Sequence, residues 1–117
     1  MSRTVFFYKR YFLDFYDAQT PEVKKKITHV LHLIQELERV PEKFLKHLEG
    51  SKGLYEIRIK VGSEIFRIFC FFAEGNLVIL LSGFQKKSQK TPKNELERAK
   101  KLREDYIHEK EKSDDSK

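Results

Sequence analysis

The sequence predicts a single α+β domain, and three observations support this prediction. The chain has 117 residues, the usual length of one domain. Between residues 23 and 37 apolar side chains recur at spacings of three and four, which is typical of an amphipathic helix. Residues 54–61 alternate strictly between apolar and polar side chains, which is typical of a β-strand. Helical and strand segments are grouped along the chain, and such grouping favours an α+β fold.

The N-terminal half is predicted to contain one strand followed by helices. Residues 5–8 are aromatic or β-branched and favour a short strand, whereas the aromatic residues 11–17 are expected to form a helical turn. Thr20 and Pro21 are a typical helix start, and the helix must end before Pro41. A further helical turn is expected after Pro41. The residues that predict this turn are Phe44, Leu45 and Leu48.

The middle third is predicted to form an antiparallel meander. Gly62 and Ser63 indicate a hairpin turn, and residues 65–73 and 77–82 are expected to form the strands that follow residues 54–61. The alternation in the first strand also predicts its two faces. Side chains expected to pack under helices are Tyr55, Ile57 and Ile59, and those expected on the opposite face are Glu56, Arg58 and Lys60.

Thr91 and Pro92 repeat the helix-start pattern and predict a C-terminal helix with Thr91 as its N-cap. From about residue 108 the chain is almost wholly charged or polar. We therefore predict a domain over residues 1–107 and a charged, disordered tail over residues 108–117. The predicted architecture is a small, mostly antiparallel four-stranded sheet packed against N-terminal helices, with a helix at the C-terminal end.

The charge balance favours a polyanionic partner, because the formal net charge is +6 and the isoelectric point is about 9.4. Nucleic acid, an acidic membrane surface and an acidic protein all fit this balance, and charge alone does not choose among them. Cys70 is the single cysteine, so an intrachain disulfide framework is excluded. We find neither a secretory signal pattern nor an apolar run that could span a bilayer, and we expect a cytoplasmic protein without a membrane partner.

Basic residues are concentrated between residues 84 and 103, where the sequence has eight lysines and arginines and only two acids. Lys86, Lys87 and Lys90 are expected in a loop that leaves a central strand and leads to a helix N-terminus, a setting that suits a phosphate. The alternative for the helical lysines is a solvated surface that contacts no ligand. The loop cluster favours polyanion binding.

Arg67 is the one charged residue in an apolar strand, so it requires a carboxylate partner or an anionic ligand. The structural alternative is a buried ion pair with Glu56. Arg58 and Lys60 on the neighbouring strand can converge with Arg67 into a cationic patch, which would stabilise the phosphorane of RNA self-cleavage. His29 and His32 are three residues apart, a spacing compatible with a metal, but the sequence shows no third ligand, no Cys/His zinc spacing and no nucleotide-binding loop. We therefore expect neither a metal nor a cofactor.

Three segments resemble the RelE superfamily of bacterial toxins, specifically its HigB-like, phage-type branch. They are residues 53–58, residues 65–69 and the run from Gly83 to Pro92. The resemblance implies a RelE-like fold and a toxin of a type II toxin–antitoxin system. It implies a ribosome-dependent endoribonuclease that cleaves mRNA by attack of the ribose 2′-hydroxyl, without a required metal, and so inhibits translation. The implied partners are mRNA, the ribosome with its rRNA, and a cognate antitoxin of the helix-turn-helix DNA-binding type.

The resemblance also assigns roles to individual residues. Arg58 matches a basic residue on the second strand of the family, Arg67 matches the phosphate-contacting arginine of the third, and Lys86 or Lys87 matches the basic residue after the fourth. We therefore expect Arg58, Arg67, Lys86 and Lys87 to be catalytic. From the distribution of charge we expect Lys60, Lys90 and Lys93 to contact RNA. Glu56 falls where RelE has a lysine, and Tyr106 is the counterpart of a C-terminal tyrosine in some relatives, so both are further candidates.

Two other functions are compatible with the sequence. One is a ParE-like inhibitor of DNA gyrase, and the other is a non-catalytic module that binds RNA or the ribosome. The basic loop and the cationic strand face favour the nuclease, because a gyrase inhibitor needs no group of residues that stabilises a phosphate.

Overall fold

A computed structural model describes residues 2–115, which form five strands and three helices. Their bounds in chain order are β1 (Thr4–Phe7), α1 (Tyr11–Asp17), α2 (Pro21–Glu36), β2 (Leu45–His47), β3 (Tyr55–Val61), β4 (Glu64–Ala73), β5 (Leu77–Lys86) and α3 (Lys93–Asp115). The predicted α+β class and the predicted C-terminal helix are confirmed. No helix in this part of the chain is long and apolar enough to cross a membrane.

The described residues form one sheet with the strand order β1-β5-β4-β3-β2. β1 runs parallel to β5, and the other neighbours are antiparallel. The prediction of four strands was therefore wrong, because the sheet has five strands and is mixed. The additional strand is β2, in the segment predicted to be a helical turn. Leu45 pairs with Ile57 and Lys46 pairs with Glu56, so β2 forms an edge of the sheet.

Helices α1 and α2 cover one face of the sheet, which we call the α2 face. Thr20 caps α2 as predicted, because its hydroxyl oxygen accepts a hydrogen bond of 3.3 Å from the Val23 amide. Ile27 and Ile34 of α2 are fully buried, as are Ile57 and Ile59 of β3, and they share one hydrophobic core. The predicted register of β3 is therefore confirmed.

Helix α3 covers part of the other face, which we call the α3 face. Its Ala99 and Leu102 are buried with Phe69 and Phe84 in a second core. A sheet covered on both faces explains why β4 and β5 are apolar throughout most of their length.

The C-terminal segment differs from the prediction of disorder from residue 108. Helix α3 continues to Asp115, and residues 116–117 of the predicted tail lie outside the described residues. Glu109 accepts a hydrogen bond of 2.7 Å from the Tyr8 hydroxyl and lies 3.2 Å from the Lys9 ammonium. These two contacts connect α3 to the residues that follow β1.

Candidate functional site

Strands β3 and β4 bring two arginines together on the α3 face. Arg58 pairs directly with Arg67 across the two strands, and paired residues in an antiparallel sheet point to the same face. Glu56 lies two residues before Arg58 and therefore shares this face. The Glu56 carboxylate oxygen Oε1 lies 3.3 Å from Nε of Arg67 and 3.7 Å from Nε of Arg58. One acid is therefore shared by two guanidinium groups.

The ion pair between Glu56 and Arg67 is buried, since only 5% of the Glu56 side chain and 8% of the Arg67 side chain are exposed. Arg67 also donates a hydrogen bond of 3.2 Å from Nη1 to the carbonyl of Phe66. Burial is the main reason why the pKa of Arg67 lies below its ordinary value, and the Glu56 carboxylate partly opposes that shift. The ion pair considered as the structural alternative for Arg67 is thus present as a charge contact, in which the buried Nε of Arg67 makes no hydrogen bond of good geometry with any described residue.

Two lysines complete the group of charges on this face. Lys86 is the last residue of β5 and is partly buried, and burial followed by repulsion from Arg67 lowers its pKa. Lys46 of β2 pairs with Glu56 and contributes to the same lowering of the Lys86 pKa. We call Lys46, Glu56, Arg58, Arg67 and Lys86 the cationic cluster. It combines four basic side chains with one carboxylate.

Lys46 was not among the predicted site residues. Its segment carries apolar residues at a helical spacing, and only the pairing of β2 with β3 brings it opposite Glu56. Lys86 was expected in a loop, but β5 extends four residues beyond its predicted end at residue 82 and includes it. A charged residue at the end of a rigid strand is positioned more precisely than one in a loop.

Thr91 connects the loop after β5 to the cluster. Its hydroxyl donates a hydrogen bond of 3.3 Å to the second Glu56 oxygen, Oε2. The predicted role of Thr91 as the helix cap was wrong, because α3 begins at Lys93 and the Pro92 carbonyl accepts from the Leu96 amide at 3.1 Å. The Glu56 carboxylate therefore interacts through both of its oxygens.

Lys87, which was predicted to be catalytic, and the predicted RNA contacts Lys60, Lys90 and Lys93 lie outside the cluster on the surface. Lys87 lines, together with Lys86, an open groove of about 740 Å³ between the ends of β4 and β5. Lys60 is exposed on β3, two residues beyond Arg58. Lys90 in the loop and Lys93 at the start of α3 are also exposed. The structure thus brings Arg58, Arg67 and Lys86 together and leaves the four other lysines around them.

Tyr106 lies outside the cationic cluster. Its ring packs against the rings of Tyr8 and Phe71, each at 5.5 Å between centroids, in the second core. Cys70 is fully buried, and burial raises the pKa of its thiol. Among residues 2–115, no group of three or more histidines, cysteines and acids could hold a metal ion.

A cluster with this composition is suited to binding a phosphate. Four cations around one carboxylate leave a positive excess, and the fixed guanidinium groups need little reorganisation when negative charge develops on a ligand. Arg58 has 28% of its side chain exposed and is open to a ligand from solvent, and the paired Arg67 beside it has 8% exposed.

The comparison with known families defines the class of protein as the RelE/HigB-like superfamily of toxins. The family model that matches is described as Phage derived protein Gp49-like (DUF891), and it covers residues 14–104. The chain therefore belongs to the Gp49-like family. Because this family is associated with toxin–antitoxin systems, a cognate antitoxin is implied as a partner. A search of curated proteins gave no match. The matched segment contains every residue of the cationic cluster.

Proposed function

We propose that the chain is a HigB-like toxin that cleaves mRNA on translating ribosomes and so inhibits translation in the cytoplasm. The observation that carries the proposal is the shared geometry of Glu56, Arg58 and Arg67 on two central strands, with Lys86 beside them. Such a preorganised set of cations stabilises a phosphate on which negative charge accumulates.

In the proposed reaction the ribose 2′-oxygen attacks the adjacent phosphorus, and the bond from phosphorus to the 5′-oxygen breaks. The proton of the 2′-hydroxyl passes to solvent water, and the departing 5′-oxygen takes a proton from the Lys86 ammonium, which solvent then reprotonates. Arg67 and Arg58 contact the non-bridging oxygens, and Arg67 remains positively charged throughout. Lys86 supplies a further positive charge and, because its pKa is lowered, is the member of the cluster best suited to transfer a proton. The proposed mechanism requires no metal or cofactor.

The surrounding lysines are proposed to bind the RNA outside the reacting phosphate. Lys60, Lys87, Lys90 and Lys93 are exposed on segments that surround the cluster. Their contacts with mRNA or rRNA phosphates would be strongly salt-dependent. We further propose that the antitoxin partner is a helix-turn-helix DNA-binding protein, as the resemblance to the HigB-like branch implies.

A second candidate function is a non-catalytic module that binds RNA or the ribosome. The observation that favours it is the ion pair itself, since Glu56 already compensates much of the charge of Arg67. In this alternative Arg67 stabilises the fold and the exposed lysines alone bind RNA.

The experiment that tests the proposal uses purified chain, programmed ribosomes and end-labelled mRNA. Wild type should cleave mRNA only when ribosomes are present, and Arg67→Ala should lower the rate by a factor on the order of 100 or more. Lys112→Ala, which removes one exposed lysine far along α3, is the matched control and should cleave like wild type.

Binding without cleavage by wild type would support the non-catalytic module instead. A parallel assay of DNA gyrase supercoiling tests the remaining alternative, and inhibition of gyrase by the wild type without mRNA cleavage would contradict the proposal.

A further inference from the structure

A second basic surface lies beside the cationic cluster at the β2 edge of the sheet. It is an open groove of about 420 Å³ between α2, the turn before β2, and β3. We call it the edge groove, and its lining residues are Lys26, Lys43, Phe44, Arg58, Lys60 and Gly62. Four of these six residues are basic and none is acidic.

Two of these lysines have their ammonium groups near the Phe44 ring. The Lys43 ammonium lies 5.0 Å from the centroid of the Phe44 ring, and the Lys26 ammonium lies 5.9 Å from it. Phe44 is itself fixed, because its ring packs against the α2-face core and its carbonyl accepts a 2.8 Å hydrogen bond from the Arg58 amide. The ring therefore places two ammonium groups at the groove by cation–π attraction.

The lining of the edge groove contains no acid, whereas the cationic cluster contains Glu56. On the α2 side, Glu22 lines the adjoining groove with Lys26 and Lys60 and forms no ion pair with either. Within residues 2–115, none of Lys26, Lys43 and Lys60 forms an ion pair. Arg58 alone has a carboxylate partner, and that partner lies on the cluster side. Bringing like charges together without an acid is unfavourable in the isolated protein, and an anionic ligand removes that cost.

Arg58 lines the edge groove and also belongs to the cationic cluster, so the two surfaces are continuous. We propose that the edge groove is a binding subsite for the phosphodiester backbone of single-stranded RNA. It would hold phosphates next to the one that reaches Arg58 and Arg67. The identity of the ligand as RNA rests on the proposed function, whereas the prediction of a polyanion rests on the groove alone.

The test measures binding of a short, fully 2′-O-methylated RNA oligonucleotide to the full-length chain at several salt concentrations. This probe cannot be cleaved by 2′-hydroxyl attack, so binding is measured separately from catalysis. The variants are Lys26→Ala, Lys43→Ala and the two combined. Each single change should weaken binding and reduce the slope of log K against log salt by about 0.7, the value for one phosphate contact with a single strand.

Lys24→Ala is the matched control. It removes a lysine of the same helix whose ammonium also lies over an aromatic ring, at 5.6 Å from the centroid of Tyr16, but which does not line the groove. Its affinity and salt slope should equal those of wild type. Phe44→Leu, which keeps an apolar side chain and removes the ring, should weaken binding by about two- to fivefold.

The outcomes separate this inference from the proposed function. Loss of oligonucleotide binding in the lysine variants, with a wild type that does not cleave mRNA, would support the groove and contradict the nuclease. If wild type cleaves mRNA while the double variant binds the oligonucleotide with unchanged affinity and slope, the inference is overturned. In that case the lysines bind an acidic protein partner or bind no ligand.

Discussion

Glu56 and Arg67 form a buried ion pair at 3.3 Å, in which the acid is also within 3.7 Å of Arg58. The pair contributes both to folding and to the candidate site. Its carboxylate compensates the charge of an arginine in the apolar strand β4. It also lies beside Arg58, where a phosphate can approach from solvent. Stability and activity can therefore be separated by changing the two partners individually and together.

Glu56→Ala should destabilise the fold strongly, because it leaves the buried Arg67 without its carboxylate. We expect a loss of about 3–5 kcal/mol in the free energy of unfolding. The double variant Glu56→Leu with Arg67→Met should recover most of this loss, since apolar side chains of similar size replace both charges. Urea unfolding measures both values, and a double variant as unstable as the single one would show that the pair is not the cause.

The same double variant distinguishes catalysis from folding. It should be stable yet fail to cleave mRNA, because both the supporting acid and the phosphate-binding arginine are absent. Full cleavage by this folded variant would remove Arg67 from the mechanism.

Lys86→Met should stabilise the protein while lowering its activity. The pKa of Lys86 is lowered by burial and by Arg67, so the unfolded chain binds its proton more tightly than the folded chain. Wild type therefore carries a penalty at neutral pH, and its stability should rise as the pH increases from the lowered pKa toward the ordinary value of 10.5. Thermal melts should show a higher Tm for the variant at pH 7 and a smaller difference near pH 10. A lower Tm at pH 7 would contradict the assignment.

Gly83→Ala should destabilise the contact between β5 and α1. A Cβ atom at residue 83 would lie 2.6 Å from Cδ2 of the Phe15 ring, far inside a normal contact distance. We expect a cost of about 1–3 kcal/mol from overpacking. In a Phe15→Leu background the same change should cost less, which a double-mutant cycle measures. An equal cost in both backgrounds would show that Phe15 is not responsible.

The end of α3 should detach at acid pH. The hydrogen bond from Tyr8 is the main reason why the pKa of Glu109 lies below its ordinary value of 4.5. The contribution of this contact is complete above that value and is lost as the pH falls through the lowered pKa. The protection factors of the amides in residues 107–113, taken relative to the intrinsic exchange rate at each pH, should therefore fall at acid pH in wild type. In Glu109→Gln they should be lower already at neutral pH, and protection factors equal to those of wild type there would contradict the proposed role of Glu109.

Sequence patterns predicted the parts of the fold that carry long periodic signals. The stripe along α2 and the alternation in β3 gave the correct faces, and the correct face of β3 placed Glu56 and Arg58 together. The edge strand β2 was missed for two reasons. Three residues are too few to show an alternating pattern, and Leu45 and Leu48 have the spacing expected of a helix. Its pairing with β3 depends on contacts distant in sequence, and Lys46 was missed with it.

The end of β5 could not be predicted from local composition. Gly83, Gln85 and Lys86 have a composition typical of a loop, yet β5 continues through them because β4 offers partners as far as Ile65. For Arg67, the sequence predicted part of the environment that the structure shows. Its apolar neighbours predicted a partner, and Glu56 was the partner named, but the sharing of that acid with Arg58 required the structure.

The most direct test of the central claim is the mapping of mRNA 5′ ends in cells after induction of the chain. Wild type should produce new 5′ ends within translated regions soon after induction and should arrest growth. Arg67→Ala at equal protein level should produce none, and Lys112→Ala should match wild type. Growth arrest by wild type without new 5′ ends would contradict the claim that this protein is an RNA-cleaving toxin.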